Sequence, residues 1–595
     1  MRGIYITNVI ERKIEVNNIF NFNRNSENTT IEISNVLMSA FDSSFCESYS
    51  KTDLNKQIAT NKHLSISLQG SIYNLADIRA ELTTIGIDVF NRSEAYIILK
   101  GYEKWGDSLL NKLNGDFVFA IYDDLCKTIL CARDKIGVEP CYYSFVDGKI
   151  EICSRIRPLI KKDSIISKEA LAYYFFYGFV PTPISIIEDI KKIRPGHYIK
   201  VDLLNKSIKE KAYWELEKIK PRKIAYKEAK EELHCLLKDA VHIRSKSDIE
   251  LGAFLSGGID SSIVASILAK HSSDKIYTYT VAFEDEKYDE GTIAKQFADI
   301  IGSNHLEFLF KTKDCVNLID KYLEIYDEPF ASGSALATIF LDDRSNKYSS
   351  CTFTGEGGDE TFLSSGDYKK IRIFKKLSVI PFYIRKRLNF LFKNKRLYDF
   401  LNISDIDSLM DISLYGTGKN FLKNKDLLNV DKYYQQYKSL SKSPVQNLAD
   451  FFIKFLWENA FLVKVGRASS AYSMNLRSPL LDYRIVEYSR SLPLNYRLKG
   501  HGGKRILKDI LEEYIPRDIF EQPKKGFGIP LGALIRKELK NDVMTTINLK
   551  YHEQYDIVDI DKFNQMMDYH MNGLEDNGIY IWRVFIFNKW VQKYI

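Results

Sequence analysis

The sequence runs to 595 residues, more than one ordinary hydrophobic core supports, so two or more domains are expected. Apolar residues at 45% and charged residues at 27% can offset the entropy of folding and exclude disorder, while 31 glycines and 14 prolines exclude collagen-like or linker-dominated sequence. A formal net charge of +7 is small for this length and does not by itself indicate a nucleic-acid partner.

In chain order, Met1 to Val16 carries charges every few residues and has no apolar h-region, so no signal peptide is expected. Leu64 to Leu68 alternates apolar and polar residues, Phe117 to Tyr122 is a compact aromatic and aliphatic run, and Thr128 to Ala132 and Tyr142 to Val146 follow, all reading as strands. Leu75 to Leu82 and Glu94 to Lys104 have helical patterns between them, a mixture that predicts an α+β or layered sandwich domain. The longest uncharged stretch, Ala170 to Ile187, contains Gly178, Pro181 and Pro183 and reads as a buried helix end and turn rather than a membrane span. Lys218 to Lys230 is basic and proline-containing; its first half is a candidate linker and its second half opens a helix over roughly Ala225 to Arg244. Strand Leu251 to Leu255, strand Ile276 to Phe283, helix Gly291 to Ile301 and strand His305 to Phe310 then alternate as in a parallel α/β sheet. Beyond Tyr368 the pattern is helical with few strand signals. Eight cysteines (Cys46, Cys126, Cys131, Cys141, Cys153, Cys235, Cys315 and Cys351) form no CxxC pair and are expected to be reduced core thiols of a cytoplasmic protein.

Three clusters carry chemistry. In Leu251-Gly-Ala-Phe-Leu-Ser-Gly-Gly-Ile-Asp-Ser-Ser262 a buried strand runs into a Gly-rich turn and a helix N-terminus. Backbone N–H groups, the hydroxyls of Ser256, Ser261 and Ser262 and the helix dipole then form an anion site. No Gly-Lys-Ser/Thr closes the turn, so it is not a Walker loop, and Asp260 fits an anion site only by holding an oxygen-liking cation such as Mg²⁺. Phe353-Thr-Gly-Glu-Gly-Gly-Asp-Glu360 supplies Glu356, Asp359 and Glu360 on a second Gly-rich turn after a strand, and in a parallel sheet such turns line one crevice. Gln522-Pro-Lys-Lys-Gly-Phe-Gly-Ile-Pro530 offers a cation for charge developing on phosphorus. Histidines and cysteines show no metal-ligand spacing, and no G-x-S-x-G elbow supports Ser-His-Asp catalysis.

In this order and spacing the clusters resemble the asparagine-synthetase family of ATP-pyrophosphatases. The resemblance continues through Ala282-Phe283, Glu290 with Ala294, Gly302 to His305, Asp327-Glu-Pro329, and Arg467-Ala-Ser through Arg477-Ser-Pro-Leu-Leu-Asp482. Gly115-Asp-Phe, Ala132-Arg-Asp134, Arg194-Pro-Gly-His197 and Trp214 match the family's glutaminase-type domain. The family implies α/β and α+β architecture: a degenerate class II amidotransferase-like, Ntn-hydrolase-like αββα sandwich at 1–215 and an adenylating α/β domain with a parallel sheet, HUP-like, at 216–595. It implies ATP and Mg²⁺ as cofactors, with Leu255, Ser256, Gly257, Gly258, Asp260, Ser261, Ser262, Val281 and Gly355 around ATP and pyrophosphate. Asp260 and Asp359 are the implied metal ligands, and Glu356 and Lys524 the implied catalytic pair. Lys524, rather than Lys525, stands in register with the family's lysine.

The departures from the family pattern are informative. Glutamine-dependent members carry a nucleophilic Cys at the second residue, where this sequence has Arg2; a guanidinium cannot accept an acyl group. The glutamine-holding Asn-Gly-Glu reads Gln69-Gly70-Ser71, a further Asp falls at Arg92, and the Arg-Gly-Pro-Asp segment is missing from the Ser43 to Asn61 region. The N-terminal domain therefore resembles a catalytically dead glutaminase. In the acceptor region two family carboxylates become Gly466 and Asn475, in a candidate substrate wall with Arg467, Arg477 and Asp482.

Together these losses resemble members that form an amide internally, β-lactam synthetases and above all lasso-peptide cyclases. Such an enzyme would activate an Asp or Glu side chain of a precursor peptide and close it with the peptide's own amine, with a leader-binding protein and a leader peptidase as possible partners. The competing expectations are an asparagine synthetase running on free ammonia and a non-catalytic scaffold. Lys369 to Arg396 holds eleven Lys/Arg and no Asp/Glu, interleaved with Phe374, Phe382, Tyr383, Phe390 and Phe392. It reads as a solvated basic face, as a docking site for an acidic partner or as a contact with an anionic membrane surface. No nucleic-acid partner and no transmembrane segment are expected.

Overall fold

The computed structural model describes residues 2–8, 27–33, 36–42, 57–245, 250–284, 290–364, 366–388, 421–423, 441, 443–499, 502–521, 528–548 and 550–595. Two six-stranded antiparallel sheets make up the N-terminal part. The first runs β10 (Ile190–Lys192), β8 (Tyr142–Val146), β9 (Lys149–Cys153), β1 (Arg2–Thr7), β3 (Val36–Asp42) and β2 (Glu27–Ile33). The second runs β12 (Ser207–Ala212), β11 (His197–Asp202), β7 (Thr128–Arg133), β6 (Gly115–Asp123), β5 (Leu64–Ile72) and β4 (Ile58–Asn61). Ile4, Ile6, Val118, Ala120, Ile150 and Ile152 meet between the sheets.

Outside the second sheet lie α1 (Leu75–Thr84) and α2 (Glu94–Trp105), which bury Ile78, Leu82, Ile97 and Ile98 against Phe117, Phe119 and Ile121. Ser93 starts α2 by accepting the Tyr96 N–H, and Gly106 at φ 56° ends it. On the first sheet's outer face α3 (Lys168–Tyr177) packs Leu171 and Phe175 into a cluster with Tyr5 and Tyr142. The result is the expected αββα sandwich. The alternation in Leu64 to Leu68 does not give one wet face: Ser65 and Ser67 are as buried as their apolar neighbours, because β5 is covered on both sides.

The third sheet is parallel throughout, in the order β15 (Asn304–Phe310), β14 (Tyr277–Phe283), β13 (Leu251–Phe254), β16 (Cys351–Phe353) and β17 (Asn475–Arg477). It follows α4 (Tyr226–Ser245). One face is covered by α5 (Ile259–His271) and α6 (Gly291–Ile301), through Ile263, Ile267, Ala294 and Phe297. The other is covered by α7 (Thr312–Ile325) and α8 (Ser334–Ser345), through Ile319, Leu323, Leu336 and Ile339. The chain builds outward from β13 to β15 and then crosses back to β16, so the switch point, where open α/β sheets hold ligands, lies between β13 and β16. The short edge strand β17 is not among the strands read from the sequence, where the region beyond Tyr368 is helical with few strand signals.

Past β16 come α9 (Gly358–Thr361), α10 (Gly366–Leu377) and α11 (Phe382–Leu388). Then α12 (Pro444–Phe451) passes into a π-helical stretch, Phe452–Phe461, and on into α13 (Leu462–Ala471). α14 (Tyr483–Ser491) and α15 (Arg505–Leu511) follow. Ala170 to Ile187 is a buried helix end and turn, and no helix of the described residues is long and apolar enough to cross a membrane. Among the described cysteines Cys131, Cys141, Cys153, Cys315 and Cys351 are buried thiols, but Cys126 and Cys235 are exposed, which corrects the expectation of core thiols throughout.

Ion pairs join the two parts: Arg133 to Glu458 at 3.2 Å and Arg155 to Asp327 at 3.0 Å, both buried, and the half-buried Lys192 to Glu328 at 2.6 Å.

Candidate active site

Two glycine-rich turns emerge side by side because β13 and β16 pair in register, Leu251 opposite Cys351 and Ala253 opposite Phe353. In the first turn Leu255 is tied to β14: its N–H donates to Tyr279 O at 2.9 Å, and the Thr280 hydroxyl donates to its carbonyl. This places Val281, buried on β14, beside the loop. Ser256 and Ser261 share a hydroxyl contact at 3.1 Å, the Gly258 N–H donates to Ser256 Oγ at 3.4 Å, and Ser261 Oγ donates to Gly258 O at 3.1 Å. The loop is thus braced before any ligand arrives. Gly257 sits at φ 69°, and a Cβ there would lie 2.7 Å from Ile293 Cγ2. Ser262 Oγ is buried with no partner, a hydroxyl at the start of α5 that the protein itself does not satisfy.

The second turn nests into the first backbone to backbone. A Cβ on Gly355 would lie 2.4 Å from the Ser261 nitrogen, and one on Gly358 would lie 2.2 Å from Asp260 Oδ1. Only glycine at both positions lets Asp260 and Asp359 converge. Between these carboxylates stands Lys504, whose Nζ lies 2.5 Å from Asp359 Oδ1 and donates to Asp260 Oδ2. Burial opposes the charge on Lys504, but Asp260 and Asp359 outweigh it and hold the ammonium above the ordinary lysine range. The aim of this side chain is built in: Lys504 begins α15 at φ 58°, and its N–H donates to Phe362 O at 2.8 Å. Two carboxylates converging on one cation beside a phosphate-type loop offer the anionic oxygens that a divalent metal takes as ligands.

Glu356 points to a different neighbour, Lys464 of α13, at 3.8 Å. Glu360 accepts the indole N–H of Trp457, in the π-helical stretch, at 2.9 Å. Burial, with the charges of Asp359 and Glu356 adding to it, pushes the Glu360 carboxyl up to about 7 despite that hydrogen bond.

Arg467, Asn475, Arg477 and Asp482 do not form one wall. Arg467 reaches Tyr142 Oη at 3.1 Å and Asp327 at 3.5 Å, in the contact between the two parts of the chain. Asp482 accepts from Arg244 at 2.8 Å, Arg484 at 2.8 Å and Asn114 Nδ2 at 3.1 Å. Burial disfavours its charge, but these partners hold the carboxyl below the usual range. Arg477 donates to the Arg244 carbonyl, and Thr354 N–H to the Arg477 carbonyl at 2.9 Å. Asn475, by contrast, joins Gly466 and Arg467 on a cavity of about 110 Å³ between the two parts. Gln69 also lines it; its amide donates to Glu139 and its Oε1 is buried without a partner. Burial first, then Asp134 and Asp116, push the Glu139 carboxyl up to about 7. Lys524 lies outside the described residues, as do Lys525 and residues 43–56 of the Ser43 to Asn61 region. Arg2 opens β1 opposite Asp42 of β3.

The sequence reading missed Lys504, Lys464, Trp457 and Glu458. For Lys504 one signal existed, the Gly502-Gly503 pair before it; a Cβ on Gly503 would lie 2.0 Å from Leu363 O. The others are set by long-range packing.

Residues 232–592 match the family model for asparagine synthase, and residues 52–214 that for a glutamine amidotransferase domain. The chain is 26% identical over 544 residues to "Asparagine synthetase [glutamine-hydrolyzing] 1" of Bacillus subtilis, covering 88% of this chain and 85% of that protein. It is 35% identical over 306 residues to "Putative asparagine synthetase [glutamine-hydrolyzing] 2" of Methanocaldococcus jannaschii, covering 50% of this chain and 58% of that one. With the human asparagine synthetase it shares 24% over 481 residues, 78% of this chain and 72% of that protein.

Proposed function

Since the chain belongs to the asparagine synthase family and is thereby an ATP-dependent, AMP-forming carbon–nitrogen ligase, we propose that it closes an amide within a peptide, as a lasso-type macrolactam cyclase. The observation that carries this reading is the cavity wall. Gly466 and Asn475 stand there in place of two family carboxylates, and a Cβ on Gly466 would meet nothing nearer than Val138 O at 3.9 Å. Packing does not demand a glycine at 466. The room serves a substrate bulkier than a free amino acid, and the missing charges remove groups that would hold an aspartate's ammonium.

In this proposal ATP is a substrate whose pyrophosphate lies against the N–H groups and hydroxyls of Ser256 to Ser262. Asp260 and Asp359 would hold Mg²⁺, which when bound neutralises charge on the leaving pyrophosphate. Lys504 supplies that balance in its absence, so the carboxylates stay converged. Glu356, kept beside Lys464, orients the attacking amine and takes its proton, and Lys524 offsets charge during adenylation and ring closure. An α-amine of pKa about 8 is partly neutral near pH 7 and needs little help from a base. Holding it beside the activated carboxyl supplies an effective molarity of roughly 10⁵–10⁸ M. The precursor peptide is the partner this chemistry requires, and a leader-binding protein and leader peptidase would deliver it.

ATP–pyrophosphate exchange tests the reading. Exchange that depends on a precursor peptide, with loss of one water mass from that peptide, supports cyclisation. Exchange with aspartate and ammonia, yielding asparagine, overturns it in favour of an ammonia-dependent asparagine synthetase.

A further inference from the structure

The basic stretch is the sequence feature that the ligase chemistry leaves unused. Its described part is a helix–turn–helix corner, α10 into α11 around Pro381. Every residue from Ser378 to Ile384 is exposed. Val379 is 83% exposed and Tyr383 66%, with Ile373, Ile380, Phe382 and Ile384 each more than a third exposed. Bulky apolar side chains cost free energy in water, and a contiguous exposed group of them marks an interaction surface.

The corner is firmly built. Arg385 is buried: its Nε donates to Ile380 O at 3.0 Å, and its guanidinium lies 5.2 Å from the centre of the Phe374 ring and 5.7 Å from that of Phe382. Ser378 N–H donates to Phe374 O at 2.7 Å, and Ile380 N–H to Leu377 O at 3.0 Å. Phe374 and Ile371 anchor α10 in the core. Exposed Lys376, Lys386 and Arg387 flank the apolar tip, within a stretch of eleven Lys/Arg and no acid.

We propose that this corner is a peripheral docking surface for an anionic membrane, with Val379, Ile380, Phe382 and Tyr383 entering the headgroup region and Lys376, Lys386 and Arg387 meeting lipid phosphates. Charge complementarity selects an anionic partner. Shape selects a lipid surface over an acidic peptide: seven consecutive exposed residues form a projecting tip, whereas peptides dock in grooves or along sheet edges. Each basic residue at such a surface changes partitioning by about fivefold, and the attraction decays within a Debye length.

The test is co-sedimentation of the full-length protein with vesicles of phosphatidylcholine alone or mixed with phosphatidylglycerol. Binding is expected only to the mixed vesicles and is expected to weaken as salt rises. Val379→Asp with Tyr383→Asp, and separately Lys386→Glu with Arg387→Glu, should each cut partitioning at least fivefold while melting temperature and ATP–pyrophosphate exchange stay at parent values. Absence of binding to mixed vesicles would overturn the proposal, as would binding that neither double variant weakens. Tight binding of polyglutamate without vesicle binding would also overturn it, assigning the tip to an acidic peptide.

Discussion

Gly358 leaves the Asp260 carboxylate no slack, and Lys504 leaves it no freedom. A methyl at Gly358 would fall 2.2 Å from Asp260 Oδ1, so Gly358→Ala must push that carboxylate out of line. Misplacement of a reacting group by about 1 Å costs on the order of 10²-fold. Pyrophosphate exchange by G358A is therefore expected to drop by about that factor with the far-ultraviolet circular dichroism unchanged; near-parent exchange would contradict the placement of Asp260 at the site. Lys504→Met leaves two carboxylates facing each other. A fully buried pair loses ~3–5 kcal/mol when one partner goes, but Asp359 is 34% exposed, so about 2 kcal/mol is expected here. Thermal unfolding should show added Mg²⁺ raising the melting temperature of K504M more than that of the parent. Equal shifts would mean that the lysine and the metal do not share a position.

At the scale of single elements, the turn after β7 shows what a sequence can and cannot disclose. Asp134 accepts the N–H groups of Ile136, Gly137, Val138 and Glu139 and fixes the loop that shapes one end of the interdomain cavity. Asp134→Ala strands those donors and is expected to cost about 3 kcal/mol in denaturant unfolding. Asp134 was legible within its motif because the four N–H groups it accepts lie within five residues, whereas Arg133 beside it reaches Ile193 and Glu458. The Ser256 and Gly355 turns were legible for the same reason, and so were strands such as β6 and β8, whose aromatic and aliphatic runs are local. What was not legible depends on distant chain: the burial of Ser65 and Ser67, the edge strand β17, and Trp457 and Lys464, which reach their carboxylates from about a hundred residues away. Lys504 comes from farther still, 244 residues beyond Asp260.

The whole molecule stores opposed titrations. Burial raises Asp134 to about 6 and Glu94, Glu139 and Glu360 to about 7. The folded state then holds these protons more tightly than the unfolded chain, so their contribution is full below about pH 4 and is lost as pH rises to about 7. Asp327 and Asp482 run the other way: arginine partners overcome burial and lower them, so their contribution is lost as pH falls below about 4. Melting temperature should therefore peak near pH 5. A melting temperature that climbs steadily from pH 5 to 8 would show that the raised carboxyls do not govern stability. Because Arg133, Arg155 and Lys192 pair with acids of the other half, calorimetry of the parent should give one transition. Arg133→Met, which leaves Glu458 without its ion-pair partner, should split or broaden it.

Those same pairs bear on how firmly the N-terminal sandwich is tied to the ligase half. Glu458 and Trp457 are sequence neighbours in the π-helical stretch; one answers Arg133 of the sandwich and the other braces Glu360 in the pyrophosphate crevice. The party wall between the halves is thus a single residue thick. A descendant that shed the sandwich would leave Glu458 without Arg133 and Asp327 without Arg155, though Asp482 would keep Arg244 and Arg484, and it would unsettle the crevice in the same stroke. The sandwich is therefore a wall of the ligase's own house, whatever chemistry it performs.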